Sequence, residues 1–338
     1  MARSDEKVIL YRYNGSPFAN KIESVLAMRG IPHFEVDVPM TLPRPEVIDL
    51  LGIGYRRIPL LAIGNDVYCD TSLIVSQLEK RIPPSAEYVS VFPPRKNGGK
   101  VDRGIIKTFA MTYGDRTLFP MGGAILPYDK LGKKFMEDRS AWQGAPIPVE
   151  ALTARRPITE SQLSSHMAIL EEQLSDEREW LFDTDEPGYG DLSVHFFWSW
   201  VIQFRGMKEV LSSSKFPKTN SWITRMSTYL AERRKANSSS VSKISAEEAA
   251  KFISQGSPSN DKLHFDKDEA ARLHVNLGDI VSIVPEDNAK NYPTVGKLIG
   301  LDREEFVVEL SGKAVSSLRC HLPRLNFAVR VSKSASKL

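Results

Sequence analysis

Cysteine is scarce in this chain. Its 338 residues include two, Cys69 and Cys320, far apart and in no metal-ligand spacing. That excludes a disulfide-stapled secreted scaffold and an encoded zinc site, and it fits a reducing compartment. An excess of one charge is missing too: 45 Lys and Arg stand against 42 Asp and Glu, a net +3. Such a weak field draws in neither nucleic acid nor a membrane surface unless it is concentrated. It is not, for residues 241–338 hold 14 basic and 13 acidic side chains. Long apolar runs are also lacking. The longest candidate, Val194 to Ile202, contains His195 and Ser199 and is half the roughly 18 residues that a membrane span needs. The opening MARSDEKVIL is charged and has no apolar core, so no secretory signal is expected. What is present is ordinary for a globular protein: 41% hydrophobic and 26% charged residues, with 21 Gly and 21 Pro, which excludes collagen-like and disordered classes. At about 150 residues per domain, the length calls for two domains or slightly more.

Lys7 to Tyr13, β-branched and aromatic, predicts a strand that stops at the turn pair Asn14-Gly15. Ser16 is placed as a helix N-cap with Pro17 at the first helical position, and Gly30 closes that helix before a strand from His33 to Val38. Strand, helix, strand at this spacing is a βαβ unit with parallel strands. A Pro-rich stretch, a short helix from Pro45 to Leu51, a hairpin of Ile58 to Ile63 with Val67 to Cys69, and a helix from Thr71 to Lys80 complete the order βαβαββα. The domain plan that follows is an α/β domain over residues 1–82, a Pro- and Gly-rich linker over 83–100 and an all-helical domain over 101–236. Within the latter, Gly188-Tyr189-Gly190-Asp191 precedes the apolar stretch Leu192 to Phe204 and predicts the start of a buried central helix, with Asp191 at its third helical position. Residues 237–260 read as a flexible linker with a short helix from Ile244 to Gln255. Strands at Ile280–Val284, Val295–Leu301, Glu305–Leu310, Ala314–Leu318 and Phe327–Val331 predict a small all-β module over 261–333, an SH3-like or similar barrel. Residues 334–338 form a tail in which Ser336, Lys337 and Leu338 spell the receptor-read peroxisomal address. Import through the peroxisomal receptor is therefore expected, with a cytoplasmic location as the alternative.

Four segments resemble the glutathione transferase family from about Val8 to Arg234. Ser16-Pro-Phe-Ala-Asn-Lys21 is similar to the motif that opens the first helix in the family's serine and cysteine classes, and Arg57-Ile58-Pro59-Leu60 resembles its cis-proline segment. Asp70-Thr71-Ser72-Leu73-Ile74 resembles the acidic and hydroxyl pair that opens its third helix, and Pro187 to Leu192 its capping motif. The resemblance implies a thioredoxin-like domain followed by an all-helical domain, with glutathione as cosubstrate. The family usually has Glu-Ser where this chain has Asp-Thr, and it does not normally carry the long linker or the C-terminal β module.

The chemistry stands on the residues as well. A thiol with an ordinary pKa near 8.5 is mostly protonated at neutral pH, and the thiolate is the nucleophile. A helix N-terminus with a hydroxyl donor stabilises that anion, and Ser16 supplies both, besides serving as an N-cap. Tyr11 and Tyr13 are alternative donors that also fit as strand packing. A cis Ile58-Pro59 bond would turn the Ile58 main chain toward an extended peptide. Thr71 would bind the γ-glutamyl carboxylate and Asp70 its ammonium, while Arg57, with Arg44 and Arg56, is a candidate for the glycyl carboxylate. Phe109, Tyr113, Phe119, Trp198 and Trp200 fit either the core or an apolar cleft, and His195 and Cys69 read as interior residues. His321-Leu-Pro-Arg324 reads as a turn. The function implied is a glutathione transferase-like enzyme attacking an apolar electrophilic small molecule, in detoxification or specialised metabolism, possible as a homodimer and needing no metal. The alternatives are a glutathione-dependent isomerase, lyase or dehydratase, and a non-catalytic binding scaffold.

Overall fold

The computed structural model describes residues 6–332; Ser336, Lys337 and Leu338, which the sequence suggests as a peroxisomal address, lie outside the described residues. Strand β1 (Val8–Arg12), helix α1 (Pro17–Arg29) and strand β2 (His33–Asp37) form the parallel βαβ unit, and α2 (Pro45–Leu51) follows. The hairpin β3 (Leu60–Ile63) and β4 (Asp66–Cys69) leads to α3 (Thr71–Arg81). This is the thioredoxin-like layout. β3 starts two residues later than the sequence predicts, just after Pro59, which has no N–H to give to the ladder.

Period-two alternation sends neighbouring side chains of these strands into two different cores. Leu10, Leu61, Ile63 and Tyr68 face α1, α3 and the helical domain. Ile9, Tyr11, Leu60, Ala62, Val67 and Cys69 face the opposite way, against α2 and the C-terminal segment. A sheet buried on both faces explains the nearly continuous apolar run of β3.

The helical domain comprises α4 (Arg103–Thr108), a π-helical stretch (Phe109–Leu118) and α5 (Phe119–Ala124) in unbroken succession, then α6 (Lys133–Gln143), α7 (Val149–Gln173), α8 (Tyr189–Val201), α9 (Met207–Val210) and α10 (Pro217–Ala236). The segment before it is packed rather than loose: Val91 and Phe92 are buried, the Val91 N–H donates to Glu79 Oε1 at 3.1 Å, and the Tyr189 N–H donates to the Val91 carbonyl at 2.7 Å. The buried helix is α8. Its Asp191 carboxylate accepts from the Leu181 N–H (2.8 Å), the Gly188 N–H (3.2 Å) and the Trp222 indole (2.9 Å).

Beyond α10 the sequence predictions need four corrections. Residues Val241–Lys243 are not a flexible linker but strand β5, because the open edge of β2 pairs with them in parallel. After α11 (Ala246–Gln255), a further helix, α12 (Lys267–Leu273), forms where Asp266 caps the N–H groups of Asp268 and Glu269. The strands that follow are β6 (Ile280–Pro285), β7 (Thr294–Leu301), β8 (Glu305–Leu310), β9 (Leu318–Pro323) and β10 (Phe327–Val331). β9 therefore starts where the predicted Ala314–Leu318 strand ends, and His321 to Pro323 lie in a strand rather than a turn. Residues 313 and 314 instead bond across to α2, with Lys313 N–H to the Asp49 carbonyl at 2.8 Å and Ala314 N–H to the Leu50 carbonyl at 3.2 Å. Nor is the module a closed barrel. The described ladders run β10-β6-β7-β8-β9-β4-β3-β1-β2-β5 as one ten-stranded sheet. The edge of β9 that would have closed a barrel pairs in parallel with β4 instead.

Buried charges fasten that seam. His321 lies between Asp66 Oδ1 (3.0 Å) and Glu305 Oε2 (2.9 Å), and Arg81 donates to Asp66 Oδ2 (2.8 Å) and to the Tyr68 hydroxyl (2.6 Å). Burial alone would discharge His321, but the two carboxylates outweigh it and lift its pKa to about 9. A folded value above the ordinary 6.5 means that this stabilisation is complete below about pH 6.5 and is lost as pH rises through about 9. Urea unfolding of wild type and His321→Gln should show the gap between them narrowing by up to about 3 kcal/mol from the lower to the upper of these pH values. An unchanged gap would remove His321 as the source. Asp191→Ala, which strands three donors, should cost roughly 3 kcal/mol in the same measurement.

Candidate active site

The register gathers the candidate residues. Tyr11 of β1 stands opposite Leu60 of β3, and Leu60 opposite Cys69 of β4. Because β3 is antiparallel to both neighbours, the segment leaving β1 (Ser16), the one entering β3 (Ile58-Pro59) and the one leaving β4 (Asp70-Thr71) emerge at the same end of the sheet. The chain leaving β2 toward Arg44 emerges there too, since β2 runs parallel to β1.

Ser16 caps α1 and is buried, its hydroxyl oxygen accepting from the Ala19 N–H at 3.2 Å. A hydroxyl that accepts one bond keeps its own proton to donate. Neither the N–H nor the carbonyl of Ile58 has a hydrogen-bond partner among the described residues, and this residue immediately precedes cis Pro59. Asp70 caps α3, its Oδ1 accepting from the Ser72 N–H (3.0 Å) and the Ser72 hydroxyl (2.6 Å). Its φ of 71° is rare for a residue with a Cβ and costs of order 1–3 kcal/mol. Thr71, at the first helical position of α3, is buried.

The other candidates divide. Tyr11 is wholly buried and its hydroxyl is pushed far above its ordinary range by burial, so it belongs to the core. Tyr13 is half-buried, with its hydroxyl 3.4 Å from Arg139 Nη2 and its ring under Arg44. Arg44 is engaged by the Pro39, Met40 and Arg56 carbonyls, and Arg56 by the Asp138 carboxylate at 2.8 Å to each oxygen. Arg57 donates through Nη2 to Asp287 Oδ1 (2.5 Å) and the Asn288 carbonyl (2.7 Å), whereas its buried Nε has no partner among the described residues. Trp198 is wholly buried; Phe109, Tyr113, Phe119 and Trp200 are only partly so. Phe119 stacks on Trp200 with centroids 5.5 Å apart and meets Phe18 at 4.4 Å, setting an apolar wall two residues from Ser16. His195 is an interior residue bonded to Ser227 at 2.9 Å, and burial lowers its pKa to about 4.

Sequence reasoning missed Lys21 and Asp115. Lys21 of α1 is fully buried and bonds Asp115 of the π-helical stretch at 2.7 Å, with its ammonium over the Tyr189 and Phe196 rings at 5.2 and 4.9 Å. Burial pushes the Asp115 carboxyl up to about 6, against the opposing pull of Lys21. Asp115 thus ties the helical domain to α1. The signal available in sequence was Lys21 itself, a charge on the otherwise apolar inward side of α1 that demands a partner.

Comparison with known proteins agrees with this fold. Residues 10–86 match the glutathione S-transferase N-terminal domain family, and residues 121–235 match a family described as a domain of unknown function, DUF7962. Glutathione S-transferase U3 of Arabidopsis thaliana is 20% identical over 229 residues, covering 66% of this chain and 85% of the plant protein. A solved GST-like protein from Pseudomonas syringae shares the fold over 96% of this chain and 99% of its own, with a TM-score of 0.67 and 23% identity. Rice GST1, solved in complex with glutathione, aligns over 74% of this chain and 96% of its own at a TM-score of 0.50 and 16% identity. With a plant transferase as relative and a thioredoxin-like domain joined to a helical one, the N-terminal domain of this chain belongs to the glutathione S-transferase N-terminal domain family, and the chain shares the glutathione transferase fold.

Proposed function

We propose that the protein is a glutathione transferase-like enzyme that holds the glutathione thiol as thiolate for attack on an apolar electrophile. The observation that carries this is the convergence of a capped helix start, an unpaired main chain before a cis proline, and a strained acidic cap at one end of the sheet. Glutathione is an extended peptide with a thiol between two charged ends, and each end finds a complement. The free Ile58 N–H and carbonyl suit its central peptide unit, as a strand edge does. Asp70 Oδ2, with no partner among the described residues, suits its ammonium group, and the N-terminus of α3 at Thr71 its α-carboxylate. The thiol then lies toward Ser16. Its proton leaves to water, the Ser16 hydroxyl donates to the sulfur anion, and the sulfur forms a bond to carbon as the electrophile's leaving group departs with its electron pair. The Phe18, Phe119 and Trp200 rings supply an apolar surface for that second substrate.

Glutathione at a hundred times its dissociation constant should stabilise the fold by about 2.7 kcal/mol, read as a rise in unfolding free energy. Absence of any shift would overturn glutathione as ligand. Ser16→Ala should bind glutathione with similar affinity but lower kcat by about 10- to 100-fold, the worth of a hydrogen bond to a charged group, and should raise the thiol pKa followed by ultraviolet thiolate absorbance. Ser16→Gly, which keeps most of the helix cap, separates lost chemistry from lost stability. Full activity in both would take the donor role from Ser16.

A further inference from the structure

Residues 54–57, which lead into Ile58-Pro59, are each braced by the C-terminal module. A Cβ on Gly54 would stand 1.9 Å from the Pro293 carbonyl oxygen, so the two backbones are in direct contact there. Tyr55 packs on Phe327 with centroids 6.0 Å apart, Arg56 lies over the Tyr292 ring at 4.6 Å, and Arg57 is gripped by Asp287 and Asn288. The loop joining β6 to β7 supplies three of these four contacts. On the other side, the loop joining β8 to β9 clamps α2. Lys313 Nζ bonds Asp49 at 2.8 Å, and a Cβ on Gly52 would lie 2.0 Å from the Ser311 carbonyl oxygen.

The braced segment has little of its own to hold it. α2 is seven residues long, buries Val47 and Leu51 and has no side-chain cap at its N-terminus, and so short a helix is not stable without tertiary packing. The run from Gly52 to Pro59 belongs to no helix or strand. Left unbraced, this approach to the site would belong to the part of the fold that opens most easily.

The Arg57 guanidinium shows what the bracing is for. Asp287 and Asn288 both take Nη2, which fixes the plane of the group, while Nε stays buried without a partner among the described residues. A buried donor left unpaired is costly unless something fills it, and a guanidinium held in one plane offers a carboxylate a directed contact. We propose that Asp287 of the C-terminal module is a positioning residue of the active site that orients Arg57 toward the glycyl carboxylate of glutathione. This assignment rests on the function proposed above and gives the third module a place in that site.

Calorimetric titration of the full chain tests it, with glutathione and with its glycyl methyl ester, which lacks the carboxylate, as ligands. Asp287→Ala should weaken glutathione binding about tenfold while kcat at saturating glutathione stays within about twofold, and Asp287→Glu should recover most of the loss. The ester should bind wild type and Asp287→Ala alike, and Asp287→Ala combined with Arg57→Ala should bind no worse than Arg57→Ala alone. Asp287→Asn, which keeps the side-chain volume, serves in the same role if the alanine variant does not fold. Equal glutathione affinity in wild type and the Asp287 variants, or equal losses for glutathione and its ester, would overturn the positioning role. Failure of the wild type to bind glutathione at all would instead overturn the function on which it rests.

Discussion

The antiparallel register that sets Tyr11, Leu60 and Cys69 side by side governs the rest of this molecule. It puts the exits of β1 and β4 and the entrance to β3 at one end, so three short segments far apart in sequence meet there without needing long loops. It also sorts side chains by parity. Leu61 goes to the helical domain and Leu60 to the C-terminal module, and a slip of one residue would exchange the two cores. With both faces committed, the sheet has nowhere to shift, and the loops at its end inherit that rigidity. This is the condition a site built from caps and main-chain groups requires, because N–H groups and carbonyls can be aimed only by fixing the backbone that carries them.

The same sheet explains why the third module is not an appendage. A strand edge left open at β4 would be a row of unpaired N–H and C=O groups, and β9 occupies it. At this seam the pairing is parallel and the flanking charges are buried, with His321, Asp66, Glu305, Arg81 and Tyr68 satisfying one another. Such a network contributes less to net stability than to specificity. Its members are costly apart and balanced together, so β9 docks on β4 in the one register that pairs Tyr68 with His321. That register carries β6, β7 and β8 with it and so sets where the β6 to β7 loop arrives.

What could be read from the sequence was whatever is encoded locally. Ser16-Pro17 announces a helix start, Asn14-Gly15 a turn, Gly30 a helix stop, and Asp70 with Thr71 a cap, and each is where its residue chemistry predicts. The strands β6, β7 and β8 were legible from their period of two. What was not legible depends on partners distant in the chain. Lys21 meets Asp115 across 94 positions, Arg57 meets Asp287 across 230, and Cys69 meets Cys320 at 3.7 Å across 251. β5 is a polar tripeptide that becomes a strand because the edge of β2 is open, and β9 begins late because residues 313 and 314 spend their N–H groups on α2. In these places tertiary pairing overrides local propensity. Arg57 could be named as a candidate ligand-binding residue from its neighbours in sequence, but nothing nearby announced what would hold it still.

The three arginines beside the site show how its parts depend on one another. Among the described residues Arg44 pairs with no carboxylate; it is held by three main-chain carbonyls, and burial with the nearby Arg139 and Arg56 charges lowers its pKa to about 10. Arg56 takes its counter-charge from Asp138 on α6 of the helical domain, and Arg57 takes its own from Asp287 in the β module. Three adjacent cations thus draw on three different parts of the fold. A buried or half-buried guanidinium without its partner is expensive, so undocking either α6 or the β6 to β7 loop would leave a charge uncompensated beside Ile58 and Pro59. The approach to the site is therefore in order only when the α/β domain, the helical domain and the β module are assembled together. That coupling makes the module's loop part of the site's architecture, although all the residues resembling the family's binding motifs lie in the first 74 positions of the chain.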